Sequence, residues 1–312
     1  MEAFCFADIL CYDGYTVINW RKQRMIHHGD KTVWVEGIIK DFIRRSPDNS
    51  LKNEESEPAW AEPLIGFSSG NDSLYGRFKD DIGDFYWVPP EIFKEAFHVE
   101  PQSLTVISWI LPQTEATKRD NRKEKAYPSE RWSRSRNFGE QANVALARHV
   151  AESLQQAGYR ALVPTLSPNW KWQTSERYGF ASNWSERHAA YAAGLGTFSL
   201  CDGLITPKGK AMRCGSVIAD IRITPTPRPY EDHRAYCLFY SKGKCKKCIA
   251  RCPVGALSEA GHDKLKCRNF LFDVVADYAK ARFGLTSYGC GLCQTGVPCE
   301  SGIPTERSLK DF

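Results

Sequence analysis

The sequence predicts a larger domain of mixed α/β or α+β class followed by a smaller cysteine-rich one, on three observations. Residues 104–164 alternate between apolar β-type runs and a helical stripe. Ten of the twelve cysteines fall after residue 200. Between these regions, residues 223–230 (ITPTPRPY) carry three prolines and leave no room for a helix. The boundary is placed there, giving a domain of residues 1–225 and a second of residues 226–312.

The elements follow in order. The hydrophilic stretch 47–63 (PDNSLKNEESEPAWAEP) reads as a linker or surface loop. Asp72 is placed to cap the helix after it. Residues 104–111 (LTVISWIL) form an apolar, β-branched strand. A helix from Phe138 carries Ala142, Leu146, Val150 and Leu154 on one stripe and stops at Gly158, and residues 159–164 return as a short strand. This β-α-β order predicts a parallel or mixed sheet covered by helices. A second helix is predicted from Asn183, which stands three residues before Glu186 as in a capping box. It ends at Gly194-Leu195-Gly196. Two strands follow, over 200–206 and 213–223, with Pro207-Lys208-Gly209 as the turn. The Gly-x-Gly lacks a third glycine and closes a helix rather than opening one, so it does not mark a dinucleotide fold.

Composition narrows the function classes. The chain has 312 residues, 42% of them hydrophobic, and a net charge of +5, which fits a buried core and excludes a disordered chain. No apolar run reaches the ~18 residues of a membrane span. Residues 1–9 lack the basic start and apolar run of an export signal, so the expectation is a cytoplasmic protein with reduced thiols. The basic excess concentrates at 118–136, with eight basic residues against three acidic ones. That run reads first as a solvated, mixed-charge loop. Its sharper reading is a surface for an anionic group. None of the seven histidines shows metal-ligand spacing, and His188 reads as a surface or satisfied core residue.

The cysteines carry the chemistry. Cys237, Cys245, Cys248, Cys252, Cys267, Cys290, Cys293 and Cys299 make eight, the number two [4Fe–4S] clusters require. Cys245-Lys-Lys-Cys248-Ile-Ala-Arg-Cys252-Pro253 reproduces most of the bacterial ferredoxin run, in which the fourth cysteine ligates the other cluster. The expected sets are therefore Cys237, Cys245, Cys248 and Cys299 for one cluster, and Cys252, Cys267, Cys290 and Cys293 for the other. Two features depart from the standard run. The position where its first cysteine would stand is Lys242, so Cys237 must reach in from five residues earlier, and the Cys293–Cys299 gap is long. Zinc is the competing metal for two C-x2-C pairs. Cys5, Cys11, Cys201 and Cys214 read as small apolar residues, with Cys201 and Cys214 as replacement ligands should Cys237 fail.

The stretch Glu186-Arg-His-Ala-Ala-Tyr-Ala-Ala-Gly194-Leu-Gly196, then Leu204-Ile-Thr-Pro207, Gly215-Ser-Val-Ile-Ala-Asp220 and Tyr288-Gly-Cys290-Gly-Leu-Cys293-Gln294, resembles the epoxyqueuosine reductase and reductive dehalogenase superfamily. The resemblance implies a nitroreductase-like α/β sandwich followed by a ferredoxin-like double-cluster domain. It also implies a base-off cobalamin against Gly194, Leu195, Gly196 and Thr197. An external low-potential donor such as a ferredoxin or flavodoxin would supply electrons, and the substrate would be a small molecule. Epoxyqueuosine reductases carry an aspartate six residues before the glutamate matching Glu186; Phe180 stands there in this chain. Dehalogenases use a tyrosine as acid, which makes Tyr178 the catalytic candidate. Two other readings stay open. One is a non-catalytic electron carrier fused to a docking domain; the other is a zinc-dependent nucleic-acid binder using the basic run. The sequence does not favour nucleic acid, nor a membrane partner.

Overall fold

The computed structural model describes residues 10–12, 15–17, 29–286 and 288–311; Cys5 and the side chain of Cys11 lie outside them. A short hairpin, β1 (Leu10–Tyr12) and β2 (Tyr15–Val17), precedes α1 (Lys31–Arg45). Asp30 starts α1 by accepting the Thr32 N–H at 2.8 Å, and Val35, Ile39 and Ile43 are buried at four-residue spacing. The stretch 47–63 is no linker. Leu51 and Trp60 are buried there, and the Trp60 indole N–H donates to the Gly139 carbonyl at 2.8 Å. Hydrophilic composition hid two anchoring apolar side chains.

β3 (Leu64–Ser69) leads to α2 (Ser73–Ile82), and Asp72 caps α2 by accepting the Leu74 N–H at 3.0 Å, as expected. α3 (Pro89–Phe97) precedes β4 (Leu104–Pro112). The basic stretch is helical: α4 (Glu115–Lys123), α5 (Glu130–Arg134), then one π-helical turn, Ser135–Gly139. α6 (Glu140–Gln156) buries the predicted Ala142, Leu146, Val150 and Leu154, and Gly158 follows at φ 91°, where a Cβ would be strained. β5 is Ala161–Leu162. A hairpin of β6 (Trp172–Ser175) and β7 (Gly179–Ser182) follows, then α7 (Glu186–Ala192). Asn183 does not cap α7. Its amide instead accepts from Lys171 N–H at 3.1 Å and donates to the Asn169 carbonyl at 2.8 Å, closing the base of the hairpin. β8 (Thr197–Phe198) pairs with β9 (Leu204–Ile205), and β10 (Met212–Asp220) completes this part.

The main sheet has the order β3-β4-β10-β5, and every neighbouring pair is antiparallel. This corrects the expected parallel or mixed sheet. β4 and β5 do run the same way, as a β-α-β crossover requires, but β10 enters between them from fifty residues later in the chain. The class is α+β. On one face, Phe67, Ile107, Trp109, Leu111 and Val217 pack against α1 and α6. On the other, Val106, Ile110 and Ile218 pack against α2, α3 and α7. β4 is buried at every position, which explains why its sequence is continuously apolar instead of alternating.

Residues 223–230 have no regular structure, but they are not loose. Thr226 exchanges hydrogen bonds with Phe67 of β3, both at 2.9 Å, and Tyr230 stacks on Tyr191 of α7. Beyond them come α8 (Leu238–Lys242), α9 (Lys247–Ala250), the hairpin β11 (Leu257–Ser258) and β12 (Gly261–His262), α10 (Lys264–Asn269), a π-helical stretch Phe270–Val275, and α11 (Ala276–Phe283). Among the described residues no helix is long and apolar enough to cross a membrane.

Candidate functional site

Cys237, Cys245, Cys248 and Cys299 line one cavity, together with Ser199, Ile205 and Lys210. Local structure explains how Cys237 arrives from so far back. It is the N-cap of α8, a single helical turn closed by Gly243 at φ 64°, and the Lys244 N–H returns to the Leu238 carbonyl at 3.1 Å. The extra residues are thus folded into a turn, and Cys237 and Cys245 meet at its base. The long Cys293–Cys299 gap is accommodated the same way. Gly296 at φ 67° turns the chain, its N–H donates to the Glu300 carboxylate at 2.7 Å, and the Cys299 carbonyl accepts from the Lys210 N–H at 2.8 Å.

The second set gathers beside the first. Cys252, Cys267 and Cys290 lie close enough for each charge to be felt by another of the three, and Cys293 couples to Cys290. The Ala256 N–H points at Cys252 Sγ at 3.2 Å, a donor suited to a metal-bound sulfur. Burial pushes the thiol of Cys248 up to about 12, and those of Cys267 and Cys290 up to about 11. These thiols are neutral at physiological pH and would release protons on binding a metal. Among the described residues, no three His, Cys, Asp or Glu side chains converge on one point as ligands of a single ion would. The four thiols of the first set line one cavity instead.

Cys214 behaves as expected of a buried apolar thiol, raised by burial to about 12. Cys201 does not. Its sulfur accepts hydrogen bonds from the Cys293 thiol and from the Lys210 ammonium, and those contacts hold it well below the usual thiol range.

The basic run holds the cysteine region to the sheet domain. Lys118 donates to Ser301 Oγ at 2.7 Å, Arg122 pairs with the buried Glu300 at 2.7 Å, and the Asn121 amide reaches Thr295 and the Cys290 carbonyl. Arg251 answers from the other side by donating to the carbonyls of Glu124 and Asn121. The run is therefore a packed interface and not a solvated loop. Its partners lie more than a hundred residues away, so no local pattern in the sequence could have shown them.

Next to Cys290 lies a buried cluster of charged side chains that the sequence did not reveal. Arg136 leans on the Tyr288 ring, 5.8 Å from its centre, and closes against Gly289, where a Cβ would come within 2.7 Å of the guanidinium. Glu140, at the start of α6, pairs with Arg136 and with Arg213 of β10. Burial pulls Arg136 down to about 10, with Arg213 adding like-charge repulsion. Burial would raise Glu140, but the two arginines outweigh it and hold it low. Glu186, at the start of α7, shares this environment. Burial lifts it to about 7, against hydrogen bonds from Ser216 and Thr165, and one carboxylate oxygen has no hydrogen-bond partner.

The residues expected to contact a cobalamin are occupied by packing. A Cβ at Gly194 would meet the Pro227 carbonyl oxygen at 2.6 Å, and one at Gly196 would meet the Ile205 carbonyl oxygen at 2.2 Å. Leu195 is buried against β3, and Thr197 Oγ1 accepts the Tyr236 N–H at 2.9 Å. Close chain crossings thus account for this Gly-Leu-Gly without a ligand. Tyr178 sits at the turn between β6 and β7, beside Lys264 of α10, and its hydroxyl donates to Asp81. His188 is a satisfied core residue. Its ring bonds Ser185 Oγ at 2.8 Å, and burial drives it down to about 3.

No family model matches the chain. It is 33% identical over 124 residues to an epoxyqueuosine reductase of Bacillus anthracis, a stretch covering 38% of this chain and 30% of that protein. It is 32% identical over 128 residues to one of Staphylococcus aureus, covering 39% and 31%. The chain is a sequence relative of the epoxyqueuosine reductases. The matched stretch spans about a third of the length of those relatives. A solved structure of selenomethionine-labelled epoxyqueuosine reductase aligns over 78% of this chain and 63% of its own, at 21% identity and a TM-score of 0.44.

Proposed function

We propose that this chain is an iron–sulfur reductase in which two [4Fe–4S] clusters pass single electrons to an acceptor beside the charged cluster of Arg136, Glu140, Glu186 and Arg213. The observation that carries this reading is the cavity lined by Cys237, Cys245, Cys248 and Cys299, thiols drawn from both ends of a 63-residue span. Cys252, Cys267, Cys290 and Cys293 hold the second cluster, so Cys252 and Cys299 are exchanged between the two halves. Cys290 adjoins the charged cluster through Gly289 and Tyr288, which Arg136 touches, and this makes the second iron–sulfur cluster the exit for electrons. The first accepts them from an external low-potential donor, a ferredoxin or flavodoxin in type.

Reduction of an organic substrate consumes protons as well as electrons. Glu186 is the group we assign to deliver them. Raised to about 7, it is part protonated at neutral pH, and its unpartnered oxygen is free to face a ligand. Arg136 and Arg213 keep Glu140 ionised and present positive charge to an anionic or electron-rich substrate group. Tyr178, with its hydroxyl engaged by Asp81, orders the β6–β7 turn beside α10.

Cobalamin is the acceptor that the resemblance implies, and it would supply a metal that takes electrons singly and hands them to a carbon centre. Gly194–Thr197 do not fit it, being filled by protein. At the charged cluster, Glu186 keeps one carboxylate oxygen without a hydrogen-bond partner, a polar atom that an amide-fringed group could satisfy. Anaerobic purification and reconstitution followed by analysis for iron, sulfide, cobalt and zinc tests the whole reading. About eight iron and eight sulfide per chain are expected. Bound cobalt with a corrin visible spectrum supports the enzyme. Iron without any corrin uptake favours an electron carrier, and zinc without sulfide refutes the clusters.

A further inference from the structure

Lys210 is 1% exposed, yet no carboxylate pairs with its ammonium among the described residues. A buried, unpaired ammonium is costly enough that lysines in such places are deprotonated or find a counter-charge. The acceptor its ammonium reaches is a sulfur, and the cavity it lines carries four more thiols. Its Nζ lies 3.4 Å from Cys201 Sγ, its side chain lines the cavity of Cys237, Cys245, Cys248 and Cys299, and its backbone N–H holds the Cys299 carbonyl. Cys201 in turn touches Cys293 of the other set. Gly203 leaves the space for this packing: a Cβ there would come within 3.2 Å of the lysine stem and 3.4 Å of Cys201 Sγ.

The geometry points to Lys210 as a positioning residue that sets the reduction potentials of the two clusters from between them. This rests on the two-cluster reading above. A cube held by four thiolates is negatively charged, and reduction adds one further negative charge. A fixed ammonium beside it, in surroundings too dry to screen it, stabilises the reduced form more than the oxidised one. The effect should be largest on the cluster held by Cys299, whose loop Lys210 touches directly. Cys201 is the ammonium's neighbour and not a ninth ligand.

The test is an EPR-monitored redox titration of the anaerobically reconstituted full chain, with iron and sulfide counted in the same samples. Lys210→Met and Lys210→Gln should keep wild-type iron while one-electron reduction of at least one cluster becomes tenfold less favourable, a fall of about 59 mV. Lys210→Arg, which keeps the charge, should stay near the wild-type potential, and Cys201→Ser should keep its iron. Full iron with unchanged potentials in both neutral variants overturns the assignment. Loss of iron from both neutral variants overturns it too, because a structural counter-charge would then be the role. Absence of iron from the wild-type chain is a different failure, that of the cluster reading itself.

Discussion

The sheet domain and the cysteine region are packed from opposite materials. Between β4, α1 and α6 the buried side chains are Val35, Ile39, Ile107, Trp109, Leu146 and Val150, all apolar and shape-filling. Around α8 and α9 the buried cluster is Leu200, Cys201, Ile205, Cys237, Cys248, Leu257, Val297 and Cys299, so half of it is thiol. The first core is stabilised by removing apolar area from water. The second buries fewer large apolar side chains, and thiols take their place. The lesson is that one region folds on hydrophobic burial, while the other leans on the α4–α5 clamp and, on the proposed reading, would gain stability from bound clusters.

Four perturbations separate the two regions, beginning with the largest. Stripping iron from the reconstituted protein with a chelator should abolish amide-exchange protection across residues 237–300 and leave that of β4, β10 and α6 in place. Equal loss in both regions would mean that they fold as one unit. Leu146→Ala should act in reverse. It leaves a cavity in a fully buried site, costs about 3 kcal/mol in denaturant melts, and keeps the iron content of the wild type. Arg122→Ala should sit between, because it strands the buried Glu300 carboxylate at the junction. A loss of about 2 kcal/mol, after allowing for the partial exposure of Arg122, should come with faster iron release. Glu186→Gln is the mildest. The folded protein holds the Glu186 proton up to about pH 7, above the ordinary 4.5, so its contribution to stability is complete below pH 4.5 and lost as pH rises through 7. Relative to wild type, the Gln variant should therefore gain on the order of 2 kcal/mol between pH 4.5 and pH 8, read from melts at the two pH values.

What could be read from the sequence follows the same division. The α6 stripe, the β4 run and the Asp72 cap are local patterns, and each stands where the sequence puts it. The spacing of the cysteines suggested two sets of four, and Cys237, Cys245, Cys248 and Cys299 line one cavity. Long-range pairings were beyond reach. β10 inserts between β4 and β5, Arg122 finds Glu300, and Lys210 finds Cys201 only once the chain has folded. Asn183 has a capping residue's spacing, but Lys171 and Asn169 took its amide first. The charged cluster joins Arg136, Glu140, Glu186 and Arg213 from four elements, and none of those residues stands out on its own.

In the proposed arrangement the eight cysteines form two interleaved sets, with Cys252 and Cys299 crossing between them. Iron and acid-labile sulfide counted in anaerobically reconstituted Cys299→Ala and Cys252→Ala test it most directly. Each variant should retain about four iron and four sulfide per chain, and the two surviving clusters should differ in their EPR spectra. If both variants keep about eight iron, or if both retain the same cluster, the crossed assignment is wrong.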